Sequence, residues 1–244
     1  MCKLYFTLFR VVLILLTLFR CFTTCITMVK VKICCIQSPE EATMAVQAGA
    51  SALGLVSWMP SGPGVIDENT IAAIAQGVPG TIRTFLLTSH QSSAAIVEQH
   101  RRCGTTTIQL VDRLLEGTHD DIRRDLPGIE LVQVVHVLDE SSVNEALNIS
   151  SSVDALLLDS GNPSLAVKEL GGTGRTHNWE FSRRIVESVN IPVYLAGGLR
   201  PENVAQAVRA VNPYSIDVCS GVRTENILDI NKLHSLFRVL QDVN

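Results

Sequence analysis

Beyond residue 28 the chain alternates between short, nearly continuous apolar runs and longer stretches whose apolar positions recur at helical spacing. The runs are rich in Val, Ile and Leu, as expected of strands buried on both faces. Val29–Ile36 reads as the first strand. Pro39–Ala48 reads as the helix after it, entered through Ser38 as N-cap with Pro39 at its first position, and closed by Gly49. The same rhythm predicts strands at Ala52–Ser57, Thr81–Thr88, Thr106–Val111, Glu130–Val137, Asp154–Leu158, Pro192–Ala196 and Ser215–Val218. It predicts helices at Asp67–Gln76, Ser92–Arg102, near His119–Asp125, and at Glu140–Leu147, Asn178–Ser188, Pro201–Ala210 and Lys232–Leu240. Repeated strand–helix units predict a parallel sheet covered by helices, and eight of them are enough to close a barrel. The expected fold class is therefore α/β, a (β/α)8 barrel. An open doubly wound sheet is the runner-up, but it needs fewer units, and no Gly-x-Gly-x-x-Gly follows the first strand. No linker, low-complexity segment or strong repeat divides residues 28–244, which are expected to form one domain.

Residues 1–27 break this rhythm. Lys3 and Arg10 precede Val11–Phe19, an apolar stretch shorter than the roughly 20 residues that a membrane-spanning helix requires. No small-residue cleavage pattern follows it. The segment reads as a leader, as an anchor, or as a start site placed upstream of the true one. Met28-Val29-Lys30 opens directly onto the first strand, which favours the last of these. A membrane is expected as a partner only if residues 1–27 are a genuine anchor; otherwise the expected location is cytoplasmic.

Composition narrows the function. Apolar residues make up 46% of the chain, ample for a core, and the net charge is −4 with no basic cluster after residue 40. Nucleic acid is therefore not an expected partner. The 7 cysteines are odd in number and irregularly spaced, so neither a zinc site nor a disulfide framework is predicted. Reduced thiols in a cytosolic enzyme are the simpler reading.

The candidate chemistry centres on Gly171-Gly172-Thr173-Gly174, echoed at Ala196-Gly197-Gly198 and Cys219-Ser220-Gly221. Each follows a predicted strand. Glycines let backbone N–H groups approach an anion closely, and a following helix N-terminus adds positive partial charge. In parallel barrels a ligand phosphate often sits on the loops after strands seven and eight. Three such turns in succession predict one phosphate site. Cys34 stands near the end of the first strand and Asp159 immediately after the sixth, where barrel enzymes carry catalytic groups. A thiol and a carboxylate across a barrel mouth can act as a proton-transfer pair. Taken singly, Cys34 reads as a core thiol and Asp159 as a turn former.

A resemblance joins these features. Lys32-Ile33-Cys34, Gly49-Ala50, Leu157-Leu158-Asp159, Gly171-Gly172-Thr173-Gly174 with Asn178-Trp179, Leu195–Leu199 with Pro201–Val204, and Asp217–Val222 occur in order. Together they resemble the phosphoribosylanthranilate isomerase family of tryptophan biosynthesis, a TIM barrel of the ribulose-phosphate-binding type. The resemblance runs from about Val29 to the C-terminus. It implies Cys34 as general base and Asp159 as general acid in an Amadori rearrangement of a phosphorylated aminosugar, with no metal or organic cofactor. It implies that the substrate phosphate lies on Gly172, Gly174, Gly197, Gly198, Ser220 and Gly221.

Three departures stand out. Cys35 replaces the glycine of the family's Lys-Ile-Cys-Gly, and Pro63 stands where the family carries the arginine that contacts the substrate carboxylate. Gln109-Leu110-Val111-Asp112 replaces Gln-Leu-His-Gly. Arg83 or Arg175 is the candidate replacement charge, each with a solvated surface role as its ordinary reading. His136 reads as a core histidine, Trp179 as helix packing, and Arg101-Arg102 and Arg183-Arg184 as solvated helix pairs. Two alternatives remain at this point: an isomerase or epimerase of another sugar phosphate, and a sugar-phosphate-binding barrel without turnover.

Overall fold

The computed structural model describes residues 29–243. The readings offered for residues 1–27, and the boundary after residue 27, lie outside the described residues. Among the described residues no helix is long and apolar enough to cross a membrane.

The apolar runs become strands β1 (Lys30–Ile33), β2 (Ala52–Val56), β3 (Arg83–Thr88), β4 (Thr107–Leu110), β5 (Glu130–His136), β6 (Ala155–Asp159), β7 (Val193–Leu195) and β8 (Ser215–Val218). Each pairs in parallel with the next, and β8 pairs with β1. This closure settles the choice against an open sheet. The helices are α1 (Pro39–Ala48), α2 (Glu68–Gly77), α3 (Ser93–Cys103), α4 (His119–Asp125), α5 (Ser141–Ile149), α6 (Trp179–Ser188), α7 (Val204–Val211) and α8 (Ile230–Gln241).

Strand alternation divides the core in two. Val31, Ile33, Leu53, Leu55, Leu86, Ile108, Leu110, Leu156, Leu158 and Ile216 pack outward under the helices. Cys34, Ala52, Val56, Phe85, Leu87, Val111, Val134, Leu157, Tyr194 and Ala196 form a second cluster that fills the barrel. Period two thus assigns every second strand residue to the interior and brings those at the C-terminal strand ends to the mouth.

Local chemistry sets the helix starts. The Glu41 N–H donates to Ser38 Oγ at 3.3 Å, the Thr70 N–H to Asp67 Oδ1 at 3.0 Å, and the Glu180 N–H to Asn178 Oδ1 at 2.9 Å. Most boundaries shift by a residue or two, and three of the differences bear on the barrel mouth. β1 stops at Ile33, and the left-handed backbone of Cys35, at φ 60°, turns the chain out of the extended run. β6 includes Asp159. α7 starts at Val204 rather than Pro201, because Asn203 Oδ1 accepts from the Arg200 N–H at 2.9 Å and holds a turn there. A short antiparallel hairpin after β8, Arg223–Thr224 with Ile227–Leu228, was not anticipated. Its two turn residues, Glu225 and Asn226, both have positive φ, the conformation that two-residue hairpins require.

Candidate active site

One pocket opens at the C-terminal end of the barrel, and Cys34, Asp159 and all three glycine turns line it. The predicted acid–base pair therefore shares a single mouth. Cys34 follows β1 with its amide held by the Val218 carbonyl at 2.9 Å. Asp159 ends β6, and its Oδ1 accepts from the Ser160 N–H at 2.7 Å.

The glycine turns converge on one cradle. A Cβ added to Gly198 would lie 2.8 Å from the Gly174 carbonyl oxygen, so the loops after β6 and β7 touch backbone to backbone there. One added to Gly221 would lie 2.0 Å from the Leu199 carbonyl oxygen, which joins the loop after β7 to the turn after β8. Only glycine permits these approaches. Ser160 Oγ and Thr173 Oγ1 lie 2.7 Å apart and tie the β6 end to the same cradle. His177 bonds Ser182 Oγ at 2.6 Å through Nε2, and burial pushes its imidazole down to about 4, so it stays neutral beside the loop.

Beneath the mouth lies an ion pair that sequence reasoning missed. Lys32 is fully buried, and its Nζ lies 2.9 Å from Asp217 Oδ2 and 5.1 Å from the centre of the Phe85 ring. A Cβ on Gly54 would come within 2.7 Å of Cys34 Sγ and 3.0 Å of Lys32 Nζ, which places thiol and ammonium side by side. Burial alone would push the ammonium down, yet the Asp217 carboxylate and the Cys34 sulfur hold it above its usual range. Burial pushes the Asp217 carboxyl up, against the pull of Lys32. Removing either partner of this buried pair would leave an uncompensated charge in the barrel. The signal in the sequence was a lysine flanked by Val31 and Ile33 in the middle of a strand.

This setting acts on both catalytic candidates. A hydrogen bond from the Cys35 thiol pulls the Cys34 thiol down, the Lys32 ammonium adds to that pull, and burial and Asp217 oppose it. Burial drives the Asp159 carboxyl up, and nearby Asp217 adds to that. A thiol lowered and a carboxyl raised are the shifts that a thiolate base and a protonated carboxylic acid need.

The departures take definite places. Cys35 adopts the left-handed backbone that glycine takes most readily, and its carbonyl accepts from Arg223 Nη2. Arg223 in turn forks onto Glu41, with Nη1 at 3.0 Å from Oε1 and Nη2 at 2.7 Å from Oε2, so the hairpin after β8 clamps the β1–α1 turn. Pro63 packs against the glycine turn after β6, its Cδ 2.5 Å from where a Gly172 Cβ would stand. Neither candidate arginine lines the mouth. Arg83 opens β3 at the far end of the barrel and pairs with Glu130 at 2.5 Å, while Arg175 is exposed and paired with Glu169. Among the described residues, no lysine, arginine or histidine lines the mouth. His136 ends β5 and its Nε2 donates to the Val111 carbonyl at 3.2 Å.

A closed parallel barrel with a thiol–carboxyl pair across its mouth and a glycine cradle on β6–β8 defines a phosphate-binding barrel of the isomerase kind. The comparisons with known proteins are specific. The profile of the family described as N-(5'-phosphoribosyl)anthranilate (PRA) isomerase matches residues 31–239. The N-(5'-phosphoribosyl)anthranilate isomerase of Methanocella arvoryzae is 34% identical over 198 residues, covering 81% of this chain and 91% of that protein. That of Halorubrum lacusprofundi is 37% identical, covering 80% and 88%. The solved phosphoribosyl anthranilate isomerase of Thermotoga maritima superposes with a TM-score of 0.74 at 26% identity, covering 88% of this chain and all of that one. The chain belongs to the N-(5'-phosphoribosyl)anthranilate isomerase family.

Proposed function

We propose that this mouth performs the family's aldose–ketose isomerisation in tryptophan biosynthesis, with Asp159 as acid and Cys34 as base. The substrate is N-(5'-phosphoribosyl)anthranilate, its phosphate held by Gly172, Gly174, Gly197, Gly198, Ser220 and Gly221. Asp159 gives its proton to the furanose ring oxygen as the C1–O bond breaks, and the nitrogen lone pair forms an iminium. The iminium acidifies the C2–H bond. The Cys34 thiolate takes that proton, and the bonding pair becomes the C1–C2 double bond of an enolamine. Protonation at C1 with loss of the C2 hydroxyl proton then yields the 2-ketose. A positioned acid or base contributes about 10²–10⁴ in rate at each proton transfer.

The observation that carries this reading is the meeting of Cys34 and Asp159 in one pocket, with burial and neighbours shifting the two groups toward the required protonation states. A cytoplasmic location belongs to the same proposal. The 4 described cysteines are free thiols, which suits a reducing compartment. Expression of the full chain in a tryptophan-requiring strain lacking this isomerase is expected to restore growth without tryptophan. No growth, with the protein present and folded, would remove the proposal.

A further inference from the structure

We infer that Gln109 recognises the aromatic half of the substrate, by pairing its side-chain amide with the adjacent amino and carboxylate groups of the ring. The inference rests on the function proposed above. Gln109 faces inward from β4, is only 3% exposed, and lines the mouth. Its Oε1 is buried and has no hydrogen-bond partner. Gln133, the buried glutamine of the neighbouring strand, behaves differently: its Nε2 donates to the carbonyls of Leu110, Asp112 and Val134. Gln133 is tied into the backbone, whereas Gln109 is left with hydrogen-bonding capacity that the protein does not use.

Buried polar groups in folded proteins nearly always have partners, so an unpartnered one on a side chain that lines a pocket points to the ligand. A primary amide presents an acceptor beside a donor in one plane. The ortho edge of anthranilate presents the complement, an N–H donor beside a carboxylate acceptor. The two can form parallel hydrogen bonds, as a glutamine amide does with the edge of adenine. The apolar walls of Leu87, Val111 and Leu157 strengthen such bonds by lowering the local dielectric.

The lack of any alternative gives the amide its importance. Among the described residues, Asp159 and Asp217 are the only charged side chains lining the mouth, and neither attracts a carboxylate. Lys168 and Arg175, near the rim, are each paired with a carboxylate, Asp112 and Glu169. A carboxylate entering this pocket therefore finds neutral donors, and Gln109 is the buried one with an unused acceptor alongside.

The test is calorimetric binding to the full chain of two unreactive product analogues. One is 1-(2-carboxyphenylamino)-1-deoxyribitol 5-phosphate, and the other is the same compound without the carboxylate. The wild type is expected to prefer the carboxylate-bearing ligand by about ten- to a hundred-fold. Gln109→Leu and Gln109→Glu, both confirmed as folded by thermal melts, are expected to bring the ratio near one. Binding of ribulose 5-phosphate, which uses only the cradle, should change little. A wild type that binds both ligands equally, or variants that keep the preference, would overturn the assignment of Gln109 alone. A wild type that binds neither ligand would overturn the proposed site and the assignment with it.

Discussion

Asp159→Asn is expected to lower kcat/KM for N-(5'-phosphoribosyl)anthranilate by about 10²–10⁴ while making the folded chain more stable at neutral pH. The two effects share one cause. Burial raises the Asp159 carboxyl above its ordinary value, so the folded state favours the protonated form. In the wild type this contribution is fully present below the ordinary carboxylate range and is lost as pH rises through the raised folded value. Above that value the folded state must hold an unfavourable buried anion. Asparagine never ionises, and its Oδ1 can still accept the Ser160 N–H that Asp159 Oδ1 accepts. The gain in melting temperature over wild type should therefore be near zero in acid and grow toward neutral pH. Melts between pH 3 and pH 8 would show it. A variant that loses stability at neutral pH, or keeps wild-type turnover, would contradict the role given to this carboxyl.

Lys32→Met is expected to cost about 3–5 kcal/mol of folding stability, a large part of a typical domain's 5–15 kcal/mol. The substitution keeps most of the length of the side chain but leaves Asp217 buried without its 2.9 Å partner. Asp217 Oδ1 already lacks a hydrogen bond, so no second donor waits to take over. The loss should shrink as pH falls, because the raised Asp217 carboxyl then takes a proton and becomes neutral. Pairing the change with Asp217→Asn should recover most of the stability by removing both charges. Urea denaturation of the wild type and these two variants measures each effect. The single variant should also be slower at neutral pH, since Cys34 loses the ammonium that helps to lower its thiol. Equal stabilities for wild type and Lys32→Met would mean that the ion pair contributes nothing.

The barrel was legible because its determinants are local. Apolar runs mark the strands, and Ser38, Asp67 and Asn178 mark helix starts by a hydrogen bond to a backbone amide two or three residues away. The glycine cradle was legible because three turns repeat at matching positions, although their backbone contacts at Gly198 and Gly221 join loops distant in sequence. The Lys32–Asp217 pair was hidden for the same physical reason, since 185 residues separate its members and only closure of β8 on β1 unites them. The Arg223–Glu41 clamp, 182 residues apart, is another product of that closure. Cys35 looked like a simple replacement of glycine. Its strained backbone and its hydrogen bond to the Cys34 sulfur follow from a turn whose shape the sequence does not state. Of the two candidate replacement charges, Arg83 lies at the opposite end of the barrel because strand direction, rather than composition, decides which end of β3 it opens.

The most direct test of the acid–base assignment is a comparison of kcat/KM for N-(5'-phosphoribosyl)anthranilate between Cys34→Ser and Cys35→Gly in the full chain. Cys34→Ser removes the base and is expected to lose about 10²–10⁴. Cys35→Gly removes one hydrogen bond to that base and relieves a left-handed residue, so it should lose no more than about tenfold. Equal losses for the two variants, or near wild-type turnover by Cys34→Ser, would contradict the account.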